Sequence, residues 1–330
     1  MPEEKLLRWG TIGAGKIAHD FVQAMDKTEH NHKTVAVSAS SKQRAQELVD
    51  KLKLDAKAYG SYEDVINDPD VDIVYIGLHN EAHVPWIKKA LEGGKHVLSE
   101  KPIGVNLREA TEAFELAKQK KLFLMEAFWS RFFPVWRHLK RLIDSKELGE
   151  AKIASANFGY PHDDHWRCLE RGESPLTLYA LYTVMFSHFV FGRKAKNIIA
   201  TGRKDSFGTD NWASLVLEFD DDKRAVLYYD SLTYLPQSAF IPEFFWCPEK
   251  LLVIRGEMVA DNKEKKLYEY PLNDERNHSS GLRYETDHVY ELLQQGKLES
   301  DIMSHQDTLD VMGMLDEIRR QLGVVFPHDK

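Results

Sequence analysis

The sequence predicts an α/β fold in two parts, a doubly wound parallel sheet followed by a second α/β domain on an antiparallel or mixed sheet. Three observations carry this reading. Short β-branched runs alternate with helix-length segments up to about residue 126, the pattern of strand–helix–strand units whose strands run in one direction. A glycine-rich turn stands between the first strand and the first helix. Past Leu148-Gly149-Glu150 the pattern changes to longer strands, two of them joined by a tight acidic turn.

In chain order, Trp9-Gly10-Thr11-Ile12, Thr34-Val35-Ala36-Val37, Ile73-Val74-Tyr75-Ile76, His96-Val97-Leu98 and Leu122-Phe123-Leu124-Met125 are the expected strands of the first sheet. Residues 16–27, 42–52, 82–92 and 107–120 are the helices between them. In the second half, 213–219, 225–234 and 250–254 read as strands, the first two joined by Asp220-Asp221-Asp222-Lys223. The apolar run 176–191 is interrupted by Thr177, Thr183, Ser187 and His188; at that length it reads as a buried core helix rather than a membrane span. Helices over 282–295 and 307–322 close the chain. No internal repeat or low-complexity segment is present, and the expected domains are 1–126 and 127–330.

Length and composition agree. At about 150 residues per domain, 330 residues suggest two domains, large enough to bury a core without metal or disulfide staples. The net charge of −8 argues against a general nucleic-acid binder, whose phosphate contacts need surplus Lys and Arg. Two cysteines, Cys168 and Cys247, cannot build a disulfide framework or a four-thiolate zinc site, and without a Cys-x-x-Cys pairing they read as structural thiols. The polar start, Met1 to Lys5, has no apolar signal region, and the ending Pro327-His328-Asp329-Lys330 carries no lipidation motif. A cytoplasmic location is expected, with no membrane and no nucleic-acid partner.

Gly13-Ala14-Gly15-Lys16-Ile17-Ala18 follows the first strand, opens the first helix and fits the G-x-G-x-x-A dinucleotide fingerprint of a Rossmann domain. The first glycine permits the tight turn and the second lets backbone approach a pyrophosphate. Ala18 is small enough for the helix to pack on the sheet, while the helix N-terminus offers N–H groups, those of Lys16 and Ile17 included, to the anion. After the second strand comes Ser40-Ser41-Lys42-Gln43-Arg44, without the carboxylate that would accept from an NAD ribose. Hydroxyls and cations suit a 2′-phosphate, so NADP is the expected cofactor, although Ser41 also fits a helix cap and Lys42 and Arg44 its solvated face.

Asn80-Glu81-Ala82-His83 and then Gly94-Lys95-His96-Val97-Leu98-Ser99-Glu100-Lys101-Pro102 resemble the Gfo/Idh/MocA oxidoreductase family. Tyr59-Gly60-Ser61-Tyr62-Glu63, Leu122-Phe123-Leu124-Met125-Glu126-Ala127, Trp129-Ser130-Arg131-Phe132-Phe133-Pro134, Trp246-Cys247-Pro248 and Gly323-Val324-Val325-Phe326-Pro327 are similar to its dimeric dihydrodiol dehydrogenase branch. The resemblance therefore covers nearly the whole chain. It implies a Rossmann domain followed by an α/β domain with an open, mostly antiparallel sheet that supports a homodimer. It also implies NADP as cofactor, with trans-dihydrodiols or aldopyranoses such as D-xylose as small-molecule substrates. By the same resemblance Lys101 stands beside the nicotinamide, Asn80, His83 and Glu100 lie near the cofactor, and Trp129, Phe158, Tyr182 and Trp246 line an aromatic substrate pocket. Large aromatics are also ordinary core residues.

Alcohol oxidation needs a hydride acceptor and a group that handles the hydroxyl proton, and a partly desolvated lysine suits the second task. The family's second catalytic element is a helix bearing Asp-x-Gly-x-Tyr or Asp-x-Gly-x-His. The matching run is Leu178-Tyr179-Ala180-Leu181-Tyr182: Tyr182 is retained, Leu178 replaces the Asp and Ala180 the Gly. The Gly-Gly pair expected upstream has become Glu173-Ser174, and no carboxylate follows in the helical run to Phe191. Two readings result. One is an NADP-dependent dehydrogenase using Lys101 and Tyr182; the other is an NADP(H)-binding protein of reduced or lost catalysis, a sensor or interaction partner. His162-Asp163-Asp164-His165 has metal-ligand residue types but reads as a loop beside Pro161, so no metal is expected.

Overall fold

The computed structural model describes residues 5–146, 149–161, 167–235 and 281–330. The chain folds into two compact units, each discontinuous in sequence. The first contains residues 1–104, 108–133 and 279–308, the second 105–107, 134–278 and 309–330.

In the first unit six strands form one parallel sheet: β1 (Leu7–Ile12), β2 (His32–Ser38), β3 (Lys57–Tyr59), β4 (Ile73–Ile76), β5 (His96–Glu100) and β6 (Leu124–Ala127). Their spatial order is β3-β2-β1-β4-β5-β6, which reverses between β1 and β4. Such a switch point opens a crevice beyond the carboxyl ends of the strands. Helices α1 (Lys16–Ala24), α2 (Lys42–Lys51), α3 (Tyr62–Asn67), α4 (Asn80–Glu92) and α5 (Leu107–Lys120) connect them. β4 is buried along its whole length, as a strand covered on both faces must be. Phe21 of α1 stacks on Tyr75 of β4 with centroids 3.7 Å apart and planes at 2°, one of the contacts that seat α1 on the sheet.

The doubly wound reading holds, and the structure adds to it. β3 and α3 escaped the sequence reading because three residues of strand and six of helix are too short for a periodic pattern. The helix expected over 16–27 ends at Ala24 and tightens into a 3₁₀ turn, Met25–Lys27.

The second unit carries α6 (Pro134–Asp144), β7 (Ile153–Gly159), α7 (Leu181–Phe191), β8 (Asn197–Lys204), β9 (Asp210–Glu218) and β10 (Arg224–Asp230). Its sheet runs β7-β10-β9-β8 and is mixed: β10 pairs parallel with β7 and antiparallel with β9, and β9 antiparallel with β8. α7 packs on one face of this sheet, while Ile199, Val226 and Ile153 point outward from the other and are about half exposed. The core helix expected over 176–191 begins instead as a π-helical turn, Leu176–Ala180, and becomes α-helical only at Leu181. The last two helices are α8 (Arg283–Gln294) and α9 (His305–Leu322). The strand expected over 250–254 lies outside the described residues, as do His162, Asp163, Asp164, His165, Trp246 and Cys247.

Candidate active site

β1 ends at Ile12 and the chain turns through Gly13 at φ 110°, a conformation that L side chains rarely adopt. A Cβ on Gly13 would stand 2.3 Å from the Gly77 carbonyl oxygen, so the turn after β1 and the turn after β4 touch backbone to backbone. Gly15 differs. It caps α1 without a side-chain hydrogen bond, and a Cβ placed there would meet nothing within 4 Å. That open space, in front of the unpaired N–H groups of a helix with no acidic residue in its first turn, fits a pyrophosphate. Ala18 is fully buried and lies 3.4 Å from where a Cβ of Gly77 would stand, the close helix–sheet packing that the small third residue of the fingerprint allows.

A cleft of about 510 Å³ extends from this turn, lined by Gly15, Lys16, Asp20, Arg44, Glu47 and Lys51 among others. Lys16 pairs with the buried carboxylate of Asp20. At the start of α2 the Ser41 hydroxyl caps the helix by accepting the Arg44 N–H at 3.3 Å, and the Arg44 guanidinium donates to Ser40 Oγ at 3.0 Å. Ser40, Ser41, Lys42 and Arg44 are all exposed. The helix-cap role of Ser41 is thus present together with a cluster of hydroxyls and cations, a donor set that fits a phosphate monoester.

Lys101 follows the last residue of β5 and is half-buried. Glu100, Asn80 and His83 are buried rather than turned to solvent. The Tyr75 hydroxyl donates to Glu100 Oε1 at 2.7 Å, and Glu100 Oε2 accepts the Lys101 N–H at 3.3 Å. Burial pushes the Glu100 carboxyl up, against the pull of Lys101. His83 lies with Nδ1 2.7 Å from the Pro102 carbonyl and Nε2 3.0 Å from that of Leu78. Its ring therefore bridges the turn after β4 to the turn after β5. Burial holds it neutral, with its pKa down at about 4. Trp129, also in this unit, is half-buried and meets Phe133 edge to face at 5.1 Å.

In the second unit Tyr182 lies near the start of α7, four residues after Leu178. From Leu176 to Phe189 these two alone are not buried, so they share the open side of the stretch. The Tyr182 ring lies nearly parallel to that of Phe158 on β7, 6.3 Å away, and Tyr179 lies 5.1 Å from Phe158. Phe158, Tyr179 and Tyr182 form one aromatic group.

Sequence reasoning missed four residues that the structure makes prominent. Glu126 and Glu285 are buried carboxyls of the first unit, and Tyr75 holds Glu100. Asp210, fully buried at the start of β9, accepts the Leu176 N–H and the Tyr229 hydroxyl through Oδ2, each at 2.8 Å. A carboxylate thus supports the turn that carries Leu178, but it comes from the sheet, some thirty positions along the chain. The only signal for Glu126 was a lone acid in an apolar run, Leu122-Phe123-Leu124-Met125-Glu126-Ala127. Among the described residues, no group of three His, Cys, Asp or Glu side chains is gathered to hold a metal ion, and no helix is long and apolar enough to cross a membrane.

The trans-1,2-dihydrobenzene-1,2-diol dehydrogenase of Xenopus laevis is 34% identical over 97% of this chain and 99% of its own length, and that of Homo sapiens 33% over 98% and 99%. Among solved structures, a 3-ketoreductase from Actinomadura kijaniata in complex with NADP and TDP-benzene superposes with a TM-score of 0.79 at 20% identity, covering 96% of this chain and 98% of that one. An aldose-aldose oxidoreductase from Caulobacter crescentus complexed with glycerol gives 0.77 at 17%, covering 97% and 98%. These two share the fold. Residues 7–128 match the NAD-binding Rossmann domain of an oxidoreductase family and 136–246 match its C-terminal domain, so the chain belongs to the Gfo/Idh/MocA oxidoreductases.

Proposed function

We propose that this oxidoreductase is an NADP-dependent dehydrogenase that oxidises a secondary alcohol of a trans-dihydrodiol or of an aldopyranose such as D-xylose. The observation that carries the substrate class is the identity of about one third, along the full chain, to trans-1,2-dihydrobenzene-1,2-diol dehydrogenases. The preference for NADP rests on Ser40, Ser41, Lys42 and Arg44, a run just after β2 that has no carboxylate of its own to bind a ribose 2′-hydroxyl. Gly13 and Gly15 with the N–H groups of Lys16 and Ile17 hold the pyrophosphate, and Ala18 lets α1 approach.

NADP held in this way would supply the hydride acceptor. The remaining task, taking the hydroxyl proton as the carbon–hydrogen bond breaks, is assigned to Lys101 and Tyr182. Asn80, His83 and Glu100 fix the backbone around the cofactor end of the site. Phe158, grouped with Tyr179 and Tyr182, offers a flat apolar face to a ring-shaped substrate; Trp129 and Trp246 are assigned to the substrate by the resemblance alone. Leu178 makes the helix face beside Tyr182 more apolar than a carboxylate would, which suits an arene diol better than a sugar.

The enzyme works as a homodimer. Ile199, Val216 and Val226 stand opposite one another across β8, β9 and β10, with Ile153 on β7. They make an apolar row on the face opposite α7, exposed among the described residues, that a second copy would bury. A cytoplasmic setting keeps the free thiol of Cys168 reduced.

The test follows nicotinamide absorbance with NADP and a panel of trans-dihydrodiols and aldopyranoses, once tryptophan fluorescence has shown the cofactor site to be saturated. Turnover that collapses by about 10²-fold or more in Lys101→Met supports the assignment. Tight NADPH binding with no reduction across the panel overturns the substrate class.

A further inference from the structure

Glu126 lies outside every role assigned above. It sits on β6, paired with Ser99 of β5, and is 3% exposed. Its carboxylate makes two hydrogen bonds. Oε1 accepts the Ile103 N–H at 3.0 Å, and Oε2 accepts the Thr308 hydroxyl at 2.8 Å. Ile103 stands two residues beyond Lys101, and the residue between them is a proline, which has no N–H to offer. The Ile103 N–H is therefore the first backbone donor after that of Lys101, and Glu126 takes it. On the same short stretch His83 lies against the Pro102 carbonyl and Glu100 accepts from the Lys101 N–H. The three residues that carry the lysine out of β5 are thus held at three successive backbone groups by buried side chains.

We propose that Glu126 is a positioning residue for Lys101, its carboxylate fixing the backbone on which the catalytic amine stands. The inference rests on the assignment of Lys101 made above. A hydrogen bond to an ionised acceptor is about twice as strong as a neutral one, and a reacting group displaced by about 1 Å can lose 10²-fold in rate. Lys101 and Glu100 face Glu126 from the β5 side, Arg131 from the 3₁₀ turn Trp129–Phe132, and Thr308 from α9. Lys101 and the hydrogen bonds from Thr308 and Ile103 favour the carboxylate; burial and Glu100 oppose it. Burial prevails and pushes the carboxyl up to about 7. Below that pH the group becomes a neutral acid, and the hold on Ile103 weakens with the loss of charge.

The experiment compares kcat, KM and NADPH affinity across pH for the full-length parent, Glu126→Ala, Glu126→Gln, Thr308→Val and Lys101→Met. Glu126→Ala is expected to lower kcat by about 10²-fold with NADPH affinity unchanged, and Glu126→Gln, which keeps a neutral acceptor for Ile103, to recover only part of that loss, to the level the parent reaches at the foot of its acid limb. The acid limb of the kcat profile near neutrality should vanish in Glu126→Gln. It should move to higher pH in Thr308→Val, because removing the hydroxyl leaves the carboxylate less well solvated. These last two variants decide the matter if Glu126→Ala does not fold. An acid limb at the same pH in the parent, Glu126→Gln and Thr308→Val overturns the proposal, as does a folded Glu126→Ala with parental kcat. Lys101→Met separates the two readings: if it too turns over normally, the assignment of Lys101 fails, whereas its collapse beside an active Glu126→Ala sinks the positioning role alone.

Discussion

The phenol of Tyr75 donates to Glu100 Oε1 at 2.7 Å, a bond from the middle of β4 to the last residue of β5 and entirely inside the protein. Each group raises the pKa of a neighbouring phenol or satisfies a neighbouring carboxylate: the Tyr75 hydroxyl is held well above its ordinary range by burial and then by Glu100. Tyr75→Phe keeps the ring stacked on Phe21 and removes only the donor. The expected cost is about 1–3 kcal/mol, the penalty of a buried acceptor left unpaired. A lower urea midpoint with an unchanged m-value would show it; an unmoved midpoint would mean that the bond contributes nothing net.

The two glycines of the fingerprint should respond to the same substitution in opposite ways. Gly13→Ala forces a Cβ against the Gly77 carbonyl at a positive φ, so it should lower the melting temperature. Gly15→Ala puts a methyl into open space, so the free protein should melt normally. NADPH titration should then show weakened binding, because the methyl occupies pyrophosphate space. Parental NADPH affinity in Gly15→Ala would remove the pyrophosphate from that position.

Arg44→Ala deletes the guanidinium that rests on Ser40. NADP affinity should fall by about 10–100-fold, the value of one or two hydrogen bonds to a charged group, while NAD affinity stays nearly constant. Isothermal titration with both cofactors measures the ratio. An equal loss for both would show that Arg44 does not read a 2′-phosphate.

Glu285, at the start of α8, is fully buried, and neither carboxyl oxygen has a hydrogen-bond partner among the described residues. Burial, and then Glu100, push its pKa well above the usual carboxylate range. The folded protein therefore keeps a proton that the unfolded chain releases from about pH 4.3 upward. Stability contributed by this group is fully present below that pH and declines as pH rises toward the folded pKa. Glu126 acts with the same sign, its window closing at about 7. In Glu285→Gln the stability lost between mildly acidic and mildly alkaline pH should shrink, as read by urea unfolding at both ends. An unchanged loss would exclude Glu285 as its source.

Leu178→Asp should raise kcat, with about 10²-fold the lower end for a positioned acid–base group. Leu178 and Tyr182 are both only half-buried, so a carboxylate at 178 keeps partial access to water. An unchanged kcat would place position 178 outside the reacting centre.

The first sheet was readable because most of its strands are apolar runs between helices of nine residues or more, and because Gly13 and Gly15 stand where strand meets helix. β3, with three residues, was not, and β7 and β8 carry exposed Ile153, Ile199 and Thr201 that blur an alternating pattern. The turn Leu176–Ala180 read as ordinary helix because periodicity cannot separate π from α geometry over five residues. Lys101 stood out through its motif. Glu126, Glu285 and Asp210 did not, because what makes them notable is burial, joined for Glu126 and Asp210 by partners 19 to 182 positions away, which no local spacing encodes.

The first unit is assembled from both ends of the chain. Asp287 of α8 accepts the Glu29 N–H, Tyr290 donates to the Lys5 carbonyl, and Thr308 completes the bonds of Glu126. A ribosome that has made the six strands has not yet made these partners. The nascent nucleotide-binding sheet must wait, with Glu126 and Arg131 lacking their later contacts, until some 170 further residues have been synthesised. A fragment cut after β6 would lack the contacts from Asp287, Tyr290, Ile302 and Thr308 permanently, so a transplant of this dinucleotide domain has to carry the segment 281–308 along with the first 130 residues to keep them.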